Sequence, residues 1–216
     1  INDFAATQIR TFRPISADET EVTIYCLAPS EESREARYAR LRKFEDFFMA
    51  SGMATSDDVM ALEATHDGSR GRVARWGEFH RGQGTLMHGP DDVAEEGGFN
   101  PETSNSSWDH ETLYYSFYRR WRDQVSGRKE ATMDGSIVEN PVSALVDDRM
   151  DEGMFRVDRS VYTDEDIFEQ EVQNIFEKCW VFLCHESQVA NHGDYFWTEI
   201  GRQPVFVHRQ EDGSLK

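Results

Sequence analysis

The stretches on either side of Thr132 stand in the wrong order for one continuous fold, and this limits the possible structures more than composition does. Met133-Asp-Gly-Ser-Ile-Val-Glu-Asn-Pro141 is polar and turn-rich, in the manner of a ragged N-terminus. Val125-Ser-Gly-Arg-Lys-Glu-Ala-Thr132, just before it, reads as the frayed tail after a last helix. The chain stops at Lys216 just past a hairpin turn, where a return strand is expected, and begins at Ile1 on a run leading into a strand. The sequence therefore predicts two separable pieces, 1–132 and 133–216, joined tail to head with a middle left out. Ser126–Asn140, which has no apolar periodicity, is the expected linker.

The composition suits a globular core, with 38% hydrophobic and 12% aromatic residues. A net charge of −18 repels phosphate backbones and anionic lipid, so neither nucleic-acid nor membrane-surface binding is expected. No apolar run approaches the roughly 18–20 residues of a membrane span, and Ile1 opens no signal-peptide pattern. Cys26, Cys179 and Cys184 lie in apolar, strand-like runs and read as buried free thiols of a reducing compartment, which points to the cytoplasm.

Gln8–Ile15 alternates polar and apolar residues, Ser16–Thr20 is turn-like, and Glu21–Leu27 is β-branched; together they predict an antiparallel hairpin. Ser30 is placed to cap a helix carrying Leu41, Phe44, Phe47 and Phe48 at helical spacing. Ser51-Gly52 interrupts it, and Ser56 can cap a short helix through Leu62. Thr65–Ser107 reads as long surface loops with short elements. Leu113, Phe117 and Trp121, with Tyr114, Tyr118 and Val125, form the apolar stripe of a closing helix. The second piece opens with a loop through Arg149. Thr163-Asp-Glu-Asp166 resembles a capping box before a helix with the inner face Ile167, Phe168, Val172, Ile175 and Phe176. Three β-like runs follow, Cys179–Cys184, Asp194–Ile200 and Gln203–Arg209, with Trp180, Phe196, Trp197 and Phe206 as their expected core and Gln210–Ser214 as a hairpin turn.

The chemistry visible in the residues alone is sparse. The seven histidines show no metal-ligand spacing, and there is no phosphate loop, nucleophile elbow or Cys-x-x-Cys. Asp57-Asp58 falls at the expected helix start, where free N–H groups and the helix dipole favour an ionised carboxylate. Such a carboxylate can ligate a metal such as Fe(II), or can simply complement the dipole.

The motifs resemble a family. Gln8-Ile-Arg10, Arg13-Pro-Ile15, Thr20-Glu-Val-Thr-Ile-Tyr-Cys26, Phe44-Glu-Asp-Phe47, Ala50-Ser-Gly-Met-Ala-Thr55, Asp57-Asp58 and Gly89-Pro-Asp-Asp92 resemble the closing third of the catalytic domain in the alpha (large) subunit of Rieske-type aromatic-ring-hydroxylating dioxygenases. Ile175-Phe-Glu-Lys-Cys-Trp180, His185-Glu-Ser-Gln188, Gly193-Asp-Tyr195, Ile200-Gly-Arg-Gln-Pro-Val205 and Asp212-Gly213 resemble the run leading into its Rieske domain. The benzoate/toluate dioxygenase branch is the most similar.

The resemblance implies an α+β fold. An antiparallel-sheet-plus-helices portion of the catalytic domain (1–132) would be joined to a helix and the first strands of a Rieske-type β domain (133–216). It implies that the parent enzyme adds O2 to an aromatic carboxylate to give a cis-dihydrodiol. The cofactors implied are a mononuclear Fe(II) and a Rieske [2Fe–2S] cluster; the partners are a beta subunit in an α3β3 assembly and an NADH-dependent reductase. Asp58 falls on the carboxylate ligand of the iron, and Phe48, Met53 and Ala54 on lining positions of the substrate pocket. Asp58 is then expected to face inward near Phe48, with Asp57 about 100° around the helix and more exposed. The family's cluster ligands and iron histidines are not among these residues, so the chain alone is expected to carry neither cofactor. The reading opposed to an enzyme is a non-catalytic, rearranged or fused fragment.

Overall fold

The computed structural model describes residues 7–127 and 141–216. The elements in chain order are β1 (Gln8–Ser16), β2 (Glu19–Cys26), α1 (Arg34–Phe48), α2 (Met53–Ser69), β3 (Trp76–Glu78), β4 (Met87–His88), α3 (Asp92–Glu96), β5 (Thr103–Ser104), α4 (Tyr115–Val125), β6 (Val146–Arg149), β7 (Met154–Asp158), α5 (Glu165–Glu171), β8 (Tyr195–Ile200) and β9 (Gln203–His208). All strand pairs are antiparallel. The expected mixed helix and antiparallel-sheet class is therefore observed, and it is consistent with a catalytic-domain portion of the family. The chain divides into two compact units, Ile1–Arg70 with Val181–Lys216, and Gly71–Trp180. Each unit takes residues from both sides of the Thr132–Met133 joint. Most of the expected linker, residues 128–140, lies outside the described residues.

In the first unit the β1–β2 hairpin runs in register from Gln8↔Cys26 to Pro14↔Thr20, with an irregularity before Ser16. Proline cannot donate to a ladder, which suits Pro14's place near the hairpin end. α1 starts one turn later than the sequence suggested. Ser33, not Ser30, is the cap, its Oγ accepting from the Ala36 N–H at 3.1 Å. Phe44 is the buried residue of α1. α2 is longer than expected because Ser56 is not its cap: the Ser56 hydroxyl donates to the Gly52 carbonyl at 2.7 Å from inside the first turns. Gly52 is the residue at the N-cap. The β8–β9 hairpin pairs Tyr195↔His208 through Ile200↔Gln203, and the Gln210–Ser214 turn is closed by a bridge between Arg209 and Leu215. Arg13 Nη1 donates to Glu199 Oε2 at 2.9 Å, tying β1 to β8.

In the second unit the sheet order is β3-β7-β6. The core joins Tyr115, Trp121 and Val125 of α4 to Val142, Val146, Phe155 and Ile167. The buried stripe of α4 is thus rotated from the expected one, and Leu113 and Phe117 are exposed. β6 lies in what read as loop, since its short run carries Asp147, Asp148 and Arg149 and hides the alternation. Asp164, not Thr163, caps α5, accepting from the Asp166 and Ile167 N–H groups at 2.9 and 3.1 Å. α5 continues as a π-helical turn, Val172–Phe176, from which Asn174 donates to the terminal Val125 carbonyl of α4 at 3.1 Å.

Other expectations fail. Cys179–Cys184 forms no strand, and the three cysteines are half-buried free thiols rather than fully buried ones. Trp180, Trp197 and Phe206 are exposed, not a core. Alternation along β8 and β9 puts Tyr195, Trp197, Phe206 and His208 on one face, but alternation cannot say what covers that face. No helix among the described residues is long and apolar enough to cross a membrane.

Candidate functional site

The candidate residues cluster at the elbow between α1 and α2. α1 ends where the Met49 N–H bonds back to the Phe44 carbonyl at 3.3 Å, and the chain turns through Gly52, whose N–H donates to the Met49 carbonyl at 2.7 Å. The Thr55 hydroxyl then donates to the Phe48 carbonyl at 2.8 Å, so the first turn of α2 is fastened to the last residue of α1. These bonds satisfy backbone groups that both helix ends would otherwise leave open. No side chain larger than hydrogen fits at Gly52: a Cβ there would lie 2.7 Å from the Phe47 carbonyl carbon and oxygen.

The elbow brings Phe48, Met53 and Ala54 into one neighbourhood. Phe48 is half-buried, edge-on to Phe47 at 4.9 Å between ring centroids and tilted against Phe44 at 6.1 Å. Ala54 is half-buried and Met53 exposed. Asp58 lies one turn beyond Ala54 on the same side of α2. It does not face inward as expected: Asp57 and Asp58 are both exposed. The physical reason is that α2 buries none of its residues, so among the described residues there is no interior on that face to turn toward. Nor do the two acids sit in the first turn of α2, which holds no acidic residue.

The far end of α2 is tied to the turn of the β1–β2 hairpin. His66 Nε2 lies 2.9 Å from Asp18 Oδ1, and Arg70 also bonds that carboxylate. The bonds from Arg70, then His66, hold the Asp18 carboxyl below its usual range. On the other side of the hairpin, Arg40 of α1 chelates Glu32 with two bonds of 2.8 Å and reaches the Cys26 sulfur at 2.9 Å. These contacts hold β1, β2, α1 and α2 together around the elbow.

One neighbour of the site escaped the sequence reading. The Arg10 guanidinium stands over the Phe48 ring, 5.3 Å from its centroid. The two residues are far apart in sequence, and neither alternation nor helical spacing links them.

An iron site would need several donors together. No group of three or more His, Cys, Asp or Glu residues among the described residues could hold a metal ion. Asp58 supplies at most one carboxylate, and one carboxylate does not retain Fe(II). The residues present therefore do not fit a complete iron site.

The hairpin, the two helices and the elbow between them fall within a stretch that matches a known family. The model of a family described as the ring hydroxylating alpha subunit (catalytic domain) matches residues 5–127, more than half of the chain. The chain belongs to this family. It is 44% identical over 125 residues to the 2-halobenzoate 1,2-dioxygenase large subunit of Burkholderia cepacia, covering 58% of this chain and 27% of that protein. It is 39% identical over 124 residues to the toluate 1,2-dioxygenase subunit alpha of Pseudomonas putida, covering 57% and 26%. The anthranilate 1,2-dioxygenase large subunit of Acinetobacter baylyi is 35% identical over 120 residues, covering 56% and 26%. The matches thus span only about a quarter of the length of these relatives. No solved structure matches.

Proposed function

We propose that the family segment belongs to the large subunit of an aromatic-ring dioxygenase that adds O2 to an aromatic carboxylate, giving a cis-dihydrodiol. The observation that carries this reading is the match along 120–125 residues to three large subunits named for halobenzoate, anthranilate and toluate, all ring carboxylates. In the same reading 1–132 is the closing part of the catalytic domain, and 133–216 is the start of the Rieske domain. Asp58 is the carboxylate ligand of a mononuclear iron, and Phe48, Met53 and Ala54 line the ring pocket. The parent enzyme would use Fe(II) and a Rieske [2Fe–2S] cluster, with a beta subunit in an α3β3 assembly and an NADH-dependent reductase. The cytoplasm is the compartment that suits these partners.

What this chain's own residues contribute is positional. The Gly52 elbow sets the first turn of α2 against Phe48, so that an aromatic wall and the Asp58 carboxylate come from adjacent ends of two fastened helices. An apolar wall orients a ring by shape without competing for its charge. The chain by itself, with a single candidate carboxylate, is proposed to be non-catalytic.

The test is product analysis. The complete large subunit, with its small subunit and reductase, would be given benzoate under 18O2. The reading expects a ring diol carrying two labelled oxygen atoms. A product with one labelled atom, or turnover of benzene but not benzoate, would overturn it.

A further inference from the structure

Arg10 stands out in a chain with 41 acidic residues. Its neighbours on the same face of the hairpin are the polar Gln8 on one side and apolar residues on the other. Side chains alternate along a strand, so Arg10 shares its face of β1 with Phe12, and the register sets Ile24 and Val22 opposite these two. Phe12 and Val22 are open to solvent, 58% and 44% exposed. Arg10 itself is half-buried, and its guanidinium lies over Phe48.

The arginines around it are spoken for. Arg13 bonds Glu21 and Glu199, Arg40 bonds Glu32, and Arg70 bonds Asp18. Arg10 forms no ion pair with any carboxylate among the described residues. Its one side-chain hydrogen bond there runs from Nε to Gln8 Oε1, a neutral acceptor, at 3.3 Å. Among the described residues the outer nitrogens of the fork thus keep their donors, beside an aromatic wall. A guanidinium stacked on a ring is held in place, and its fork matches a carboxylate in two parallel bonds.

The geometry points to Arg10 as the residue that recognises the carboxylate of the substrate. The ring of an aromatic acid lies against Phe48 while its carboxylate takes the free edge of the Arg10 guanidinium. This rests on the proposed function, and it adds the basis on which an aromatic acid is told from a neutral ring. The guanidinium also fixes which end of the ring is held, and therefore which ring edge is left open to reaction. Arg10 is a specificity-determining residue here, with no part in the chemistry.

The test is equilibrium binding and steady-state turnover by the complete large subunit with its small subunit and reductase. The substitutions are Arg10→Gln and Arg10→Lys, and the probes are benzoate and its neutral isostere benzamide. A charge-assisted pair of this kind corresponds to a loss of roughly 10- to 100-fold in benzoate affinity and in kcat/KM for Arg10→Gln. The loss falls mainly on KM, with benzamide unchanged. Arg10→Lys recovers part of the benzoate affinity, because charge is kept and the fork is lost. Equal losses for both probes would show that Arg10 only props the pocket, and unchanged benzoate binding would show no role; either result overturns the inference. The unsubstituted protein separates this failure from the failure of the underlying reading. If it binds benzoate no better than benzamide, the aromatic-acid function falls and Arg10's role falls with it.

Discussion

Replacing Gly52 by alanine should loosen the elbow on which the candidate site depends. The backbone at Gly52 is extended, φ −76° and ψ 163°, which alanine adopts without strain, so the substitution tests space alone. The added Cβ would meet the Phe47 carbonyl carbon and oxygen at 2.7 Å and the Glu45 carbonyl at 3.0 Å. The nearest of these is about 0.7 Å short of the 3.4 Å at which ordinary contact begins, and all three are backbone atoms that cannot rotate away. Overpacking of this kind costs about 1–3 kcal/mol. At this chain length each kcal/mol moves the melting temperature by roughly 2–4 °C. The control is Gly68→Ala in the last turn of the same helix, where a Cβ meets nothing within 4 Å. That change should stabilise by about 0.5–1 kcal/mol through helix propensity. Urea denaturation followed by far-UV circular dichroism would give both values. If Gly52→Ala is as stable as the parent, or if both substitutions act alike, the elbow is not packed as described.

Phe155 is fully buried and edge-on to Tyr115 at 4.8 Å, so Phe155→Ala should cost about 3–5 kcal/mol, read as a lower urea midpoint for the second unit. Glu171 accepts from the Trp121 indole N–H at 2.5 Å and pairs with no cation among the described residues; burial raises its carboxyl above the usual range. A raised folded-state value means this contribution to stability is complete below the ordinary glutamate range and is lost as pH rises through the folded-state value. Glu171→Gln should therefore remove that pH dependence, and melting curves that differ from the parent by a constant amount at every pH would refute the assignment.

The sequence made the hairpin and the two helices of the first unit visible, because alternation in Gln8–Ile15 and the spacing of Phe44, Phe47 and Phe48 are local signals. It misplaced three caps, for local reasons as well. Ser30 and Ser33, or Thr163 and Asp164, are equally good cap residues by type, and only the backbone decides between them. Ser56 looked like a helix start because a hydroxyl before two acids is the usual signature; inside the helix the same hydroxyl bonds back to Gly52 instead. Exposure was the least legible property. Trp197 and Phe206 alternate as buried residues do, and α2 carries Met53, Met60 and Leu62, yet all are exposed among the described residues. The resemblance implied Asp58 and Phe48 as site residues and held Arg10 only within a motif, and nothing local could place Arg10 beside Phe48, which it reaches across the fold.

The most direct test of the central claim compares Asp58→Ala with Asp57→Ala in the complete large subunit, with its small subunit and reductase, by benzoate-dependent O2 uptake. Both side chains are exposed in this chain, so neither substitution should disturb its fold and a loss of activity would report on function. The account predicts that Asp58→Ala abolishes uptake and that Asp57→Ala lowers it only mildly. Near-normal uptake by Asp58→Ala, or equal losses from both, would contradict it.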